Sequence, residues 1–404
     1  SGDIINVNVS ASCNNLTINQ NGELTIEDAF RNLTINGDTE ISGNFIDNGS
    51  SGTNRFLGQL TINSTGSLNT TAVANPARMD FYGTNITTYS NSVFLDALRI
   101  NNSMSINGTG SISIDDLVIW AIGITITNNS NVLINNTLNQ FNLSCTWINS
   151  NNSSLKYSGT GLTLMNSSGT LTASATGNIV EYNGNGNQTI KTPSGSTYWH
   201  LTTSTSGTKS ISGNIDVDGD LTINSSSTLE VSSFNFNVAG STTVDGTFSD
   251  NNAGGIITFQ EIQINNGATW TSSSSPSARL LLYGNIVNNS NNVTFTSARA
   301  AANIVISGSG SILFNDYFEY NIAASITNQT TISIIDGLNA NNLAGTSWIN
   351  EGTLNYSSST YDIMGSNGTL DADFAGNTVN YNGTGDQNVR NTTYHHLISS
   401  NSGT

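Results

Sequence analysis

The chain has 404 residues, of which only 9% are charged, and a net charge of −17. Such a balance offers no basic surface to nucleic acid and argues against docking on anionic lipid. The longest apolar run, residues 117–126, is too short to cross a bilayer.

From the start of the chain the pattern is that of short strands. Ile5, Val7 and Val9 alternate with polar residues, the period of a half-buried strand. Paired apolar beats follow at Leu16/Ile18, Leu24/Ile26, Leu33/Ile35 and Leu60/Ile62, separated by turns rich in Asn and Gly. The beats continue through Leu98/Ile100, Ile112/Ile114, Ile124/Ile126 and Val132/Ile134 to Leu143. Helix-favouring Ala, Glu, Lys and Gln are scarce, and three prolines (Pro76, Pro193, Pro276) leave long backbone ladders possible.

The second half answers the first in order. Leu221–Ile223 matches Leu16–Ile18, Pro276 matches Pro76, and Ser347-Trp-Ile-Asn matches Thr146-Trp-Ile-Asn. The closest likeness joins residues 177–208 to residues 376–404. The chain therefore reads as two tandem units of roughly 200 residues, 1–209 and 210–404, with a seam near Lys209 and no linker. The finer beat implies coils of about 20 residues. An all-β parallel β-helix fits this pattern, with Ile, Val and Leu ladders inside and Asn stacked at the turns. A pair of Greek-key sandwiches is the competing architecture. The solenoid is preferred because successive strands look alike and no linker marks the seam. Coils ~4.8 Å apart would make each unit ~50 Å long.

Residues 2–19 and 379–404, above all the Tyr-Asn-Gly-x-Gly-x-Gln blocks at Tyr182–Gln188 and Tyr381–Gln387, resemble repeat regions of very large secreted proteins of Bacteroidetes and related bacteria. That resemblance implies β-solenoid repeats, export, and a cell-surface role in adhesion or filament building. The sorting domain that ends such proteins is absent from this sequence.

Candidate chemistry is sparse. Asp216, Asp218 and Asp220 place carboxylates on alternate positions, a spacing that suits calcium, but a turn between coils is the preferred reading, since the first unit has Val9-Ser-Ala-Ser there. No other cofactor is expected. Cys13 and Cys145 would lie about six coils apart, ~30 Å, too far for a disulfide. The adjacent His395 and His396 would face opposite sides of a strand, a poor chelating geometry. Trp147 and Trp348, equivalent in the two units, suggest packing. Trp199, Trp270, Tyr317 and Tyr320, at non-equivalent places expected to be exposed, are the candidates for carbohydrate contact. The carboxylate pairs Glu27/Asp28, Asp115/Asp116 and Asp371/Asp373 have few Lys or Arg nearby and no counterpart in the other unit. Hence no enzyme is expected.

Two functional expectations follow. The first is a rigid extracellular rod that builds a filament or stalk by stacking head-to-tail on copies of itself, since the two ends of the chain resemble the two sides of the seam. The second is an adhesin arm that binds surface glycans or another surface.

Overall fold

The structure is a computed structural model describing residues 3–27, 30–49, 52–70, 78–140, 144–160, 163–250, 254–272 and 279–400, without the side chains of Gln140 and Arg279. Leu143, Asp28, Pro76 and Pro276 lie outside the described residues. The chain divides into two compact units, Ser1–His200 and Leu201–Thr404. This boundary falls a few residues before the seam read from the sequence. Each unit is a parallel β-solenoid, and among the described residues strands pair with the strand one coil on, as a solenoid requires and a Greek-key sandwich does not.

In the first unit each coil carries up to three strands, one per face. The first face runs from Ile4–Asn6 through Glu23–Ile26 and Asn44–Asp47 to Ile179–Tyr182. The second begins at Ala11–Cys13 and the third runs from Leu16–Ile18 to Thr170–Thr172. In Val93–Ile100, Ser111–Ile119 and Asn131–Gln140 the first two faces join into one strand. Coils differ in length: the step from Ile4 to its partner Glu23 is short, and the step from Leu60 to its partner Ile86 is longer. The second unit has three faces as well, starting at Gly207–Ile211, Ile215–Val217 and His200–Thr203. There Phe236–Val244 and Ile256–Ile264 join the second and third faces instead.

Alternation along each strand sends every second side chain inward, and parallel register stacks it on its counterpart in the next coil. Leu24, Phe45, Leu68, Val93, Ile112, Val132, Leu155 and Val180 form one such ladder, all of them buried. Burying each apolar side chain is worth about 1.5–3 kcal/mol. The second unit fills its interior with rings: Phe248 meets Trp270 at 4.2 Å between centroids, Trp270 meets Phe295 at 5.3 Å, and Phe295 meets Phe314 at 5.3 Å.

The Asn-rich turns have specific work at the corners. Before the third face, a side-chain oxygen of one coil accepts the backbone N–H that starts the next. Asn15 accepts from Asp38 at 3.0 Å and Asp38 from Gln59 at 2.8 Å. Asn285 accepts from Val305 at 2.9 Å and Asn303 from Ser325 at 2.8 Å. Before the first face the asparagines turn inward: buried Asn128 donates to Asn149 at 2.8 Å, and buried Asn328 to Asn350 at 2.9 Å. Short amide and carboxylate side chains thus satisfy corner N–H groups that no strand ladder reaches, and buried amides bond one another from coil to coil.

Cys13 and Cys145 are both free. Six register steps lead from Cys13 through Ile35, Phe56, Phe81, Ile100 and Ile119 to Gln140, the second-face position of the coil that reaches Cys145.

Candidate functional site

The segment that recurs most closely folds into the same clamp in both units. Tyr157 and Tyr182 stack in register on the first face, rings 6.3 Å apart and edge-on. Gln188 then folds back over them. Its Nε2 donates to Tyr157 O at 2.9 Å and Gly159 O at 2.8 Å, and its Oε1 accepts from Gly184 N–H at 2.9 Å. Tyr182 Oη lies 3.1 Å from Tyr198 Oη and accepts from Lys191 N–H at 2.9 Å, while Tyr198 Oη donates to Lys191 O. Lys191 Nζ closes the ring of contacts on Asn166 O at 2.8 Å.

In the second unit Gln387 bonds Tyr356 O, Ser358 O and Gly383 N–H in the same way. Tyr381 and Tyr394 meet at 3.1 Å, and Arg390 takes the place of Lys191, its guanidinium donating to Gly365 O and Gly368 O.

The electrostatics of the clamp favour neutral groups. Burial raises the phenols of Tyr182, Tyr198 and Tyr394, and lowers the ammonium of Lys191. Nearby Cys145 is pushed up to about 11 by burial, against the pull of Lys191, so its thiol stays protonated at neutral pH. The arrangement holds coils together and supplies no activated nucleophile.

The other expected site residues are dispersed. Trp270 and Tyr320, expected at the surface, are buried in the core of the second unit. Trp270 stacks in register on Phe248, and Tyr320 donates its hydroxyl to Ser347 O at 2.8 Å. Strand alternation is the cause: Phe318 and Tyr320 lie two apart and both point inward, leaving Tyr317 outside. Trp199 is half-buried with its ring edge-on to His200, 6.1 Å away. Trp147 and Trp348 are buried mid-strand, as packing requires.

The three aspartates do not converge. Asp216 Oδ1 accepts from Asn237 at 2.6 Å, Asp220 Oδ1 accepts from Ser241 N–H at 2.9 Å, and Asp218 is exposed. Asp220 thus performs the corner bonding seen at Asp38. Among the described residues no three His, Cys, Asp or Glu come together to hold a metal ion. His395 and His396 do not face opposite sides. They precede the strand Leu397–Ser399, so its alternation does not bind them, and their rings meet at 4.3 Å. Asp115 and Asp116 accept from Asn135 and Thr137, each at 2.7 Å.

Two clusters escaped the sequence reading because register across coils creates them. On the second face of the first unit, Arg55, Asp80 and Arg99 lie in one outward row. Asp80 is fully buried between Arg78, at 2.9 Å, and Arg99. The Arg99 guanidinium lies 4.9 Å from the ring centre of Trp120, which is 48% exposed. In the second unit, Tyr317 lies in register with Gly337, and its ring meets that of Tyr361 at 5.8 Å. Asp316 beside them is pushed up to about 6, chiefly by burial and then by its hydrogen bond to Asp336. Tyr317 is raised to about 12, first by its hydrogen bond to Tyr361. Counting about 20 residues at a time aligns Asp316 with Asp336, but not Arg55 with Asp80, whose coil is longer.

Comparison with protein-family models, curated proteins and solved structures finds no match to this chain.

Proposed function

We propose that the chain is a structural protein of the cell surface, a stiff solenoid element of a filament or stalk that extends by end-to-end stacking. The observation that carries this reading is the clamp. The most strongly repeated chemistry of the sequence, Tyr157/Tyr182/Gln188/Tyr198 and Tyr356/Tyr381/Gln387/Tyr394, is spent on bonding one coil to the next. Parallel strands supply the same backbone edge at every coil, so a further coil can add to the edge of Leu397–Ser399, whether from this polypeptide or from another copy. Electron microscopy of the purified chain at micromolar concentration is the test. Filaments that lengthen with concentration are expected, and globular particles at all concentrations would overturn the assembly. Surface labelling of the source cells with an antibody to the chain tests the location.

A second reading, an adhesin that binds glycans, draws its support from the arginine–tryptophan cluster of the first unit, not from Trp270 or Tyr320.

A further inference from the structure

The chain contains ten Lys and Arg residues in total, and three of them meet on one face of the first unit. Arg55 and Arg99 flank Asp80 in the same outward row, one coil to either side, and Arg78 stands two residues before Asp80 on its own strand. Coil spacing places Arg55 and Arg99 about 10 Å apart along the face. One carboxylate serves this group from within. Asp80 accepts from Arg78 Nε at Oδ1 and from Arg99 at Oδ2, and is wholly covered. Arg78 also donates to Thr53 Oγ1 at 3.2 Å and remains 42% exposed, and Arg55 is exposed.

Of the acidic groups at the adjoining corner, Asp47 and Asp96 are buried, while Asp115 and Asp116 are half-exposed and accept from Asn135 and Thr137. Three guanidinium groups thus gather around the one covered carboxylate of Asp80, in a chain whose net charge is −17. Beside them Trp120 stacks on Arg99 and presents apolar ring surface to solvent.

We propose that Arg55, Arg78, Arg99 and Trp120 form a docking site for an anionic saccharide, the guanidinium groups taking its carboxylate or sulfate and the indole packing against its ring. Guanidinium forks match planar and tetrahedral oxyanions with paired hydrogen bonds, and an exposed indole covers the C–H face of a sugar. Asp80 holds Arg78 and Arg99 in place, which lowers the ordering cost of binding. The site rests on the glycan-binding reading above and is independent of filament assembly.

The test is affinity electrophoresis of the full chain at low salt in three gels of one backbone: neutral dextran, carboxymethyl-dextran and dextran sulfate. Retardation by one or both charged polymers, and none by neutral dextran, is the expected result. The polymer that retards more identifies carboxylate or sulfate as the preferred group. Arg55→Glu should weaken retention about tenfold and Trp120→Ala several-fold, with far-UV circular dichroism unchanged. Arg299→Gln, whose partner Glu319 lies in the second unit, should leave retention intact.

Failure of both charged polymers to retard the chain would overturn the site, as would retention indifferent to Arg55→Glu or lost equally in Arg299→Gln. Self-association dissolved by Arg55→Glu, without retention by either polymer, would assign the face to a second copy and also overturn it. A chain that forms filaments but ignores all three gels refutes this site and leaves the structural proposal standing.

Discussion

Gln188 shows how much one side chain can organise. Its amide bonds two carbonyls of one stretch, Tyr157 and Gly159, and the N–H of Gly184 in the next coil. Gln188→Ala removes all three bonds, each worth about 1 kcal/mol, although Tyr157 O keeps the N–H of Asn183 at 2.9 Å. A destabilisation of ~3 kcal/mol is expected in denaturant unfolding of the first unit. Gln387 makes the same three bonds but is only half-buried, so Gln387→Ala should cost less. Asp316 makes a different kind of prediction. Its folded pKa of about 6 stands above the ~3.9 of an unfolded aspartate. The second unit therefore holds this proton more tightly when folded, and the stability it lends is complete below about pH 4 and lost as pH rises through about 6. Asp336→Asn removes the like charge. It should bring the Asp316 midpoint down in a carboxyl NMR titration, flatten the loss of stability between about pH 4 and 6, and raise the unfolding temperature at neutral pH.

Among elements, the strands were legible and the coil was only partly so. Leu16/Ile18 and Leu60/Ile62 announce period-2 strands, and both pairs face inward on the third face. Little that is local says that three strands close a coil: Ser111–Ile119 crosses a corner as one strand, marked only by the break in alternation at Asp115 and Asp116. The site residues suffered from the same limit. Trp270 lacks a matching Trp in the other unit, which suggested a surface role, yet its ladder partner Phe248 lies one coil back in the same unit. Equivalence between units says where evolution copied a residue; equivalence between coils says which way it points. The aromatic column around Trp270 carries a prediction of its own. Trp270→Ala opens a cavity among Phe248, Phe259 and Phe295 and should cost about 3–5 kcal/mol. Faster amide exchange is expected in Thr247–Asp250 and Asn292–Phe295, which pair with its strand, while the first unit keeps its protection.

For the molecule as a whole, each unit has its own ladders and its own clamp. Contacts in a solenoid reach one coil up and one coil down, so stability sums over neighbours instead of resting on one shared core. Residues 1–200 and 201–404, expressed separately, should each give the far-UV circular dichroism of β-sheet and a cooperative thermal transition. A fragment that stays unfolded would show that its ladders need the other half. Hydrogen exchange in either unit should be slowest in middle coils such as those of Ile112 and Ile312.

The twin clamps have one further consequence, and it concerns genes. Tyr157 and Tyr356 hold the same place in their coils, as do Gln188 and Gln387, and the same length of chain separates each pair. The copied length therefore returns each of these residues to the same place within its own unit. Unequal recombination between the two copies would add or delete one copied length and carry the alternation of inward and outward residues on through the crossover. Length could then drift over generations without a folding penalty at the new junction, because any crossover between matched codons joins an inward residue to its proper inward neighbour.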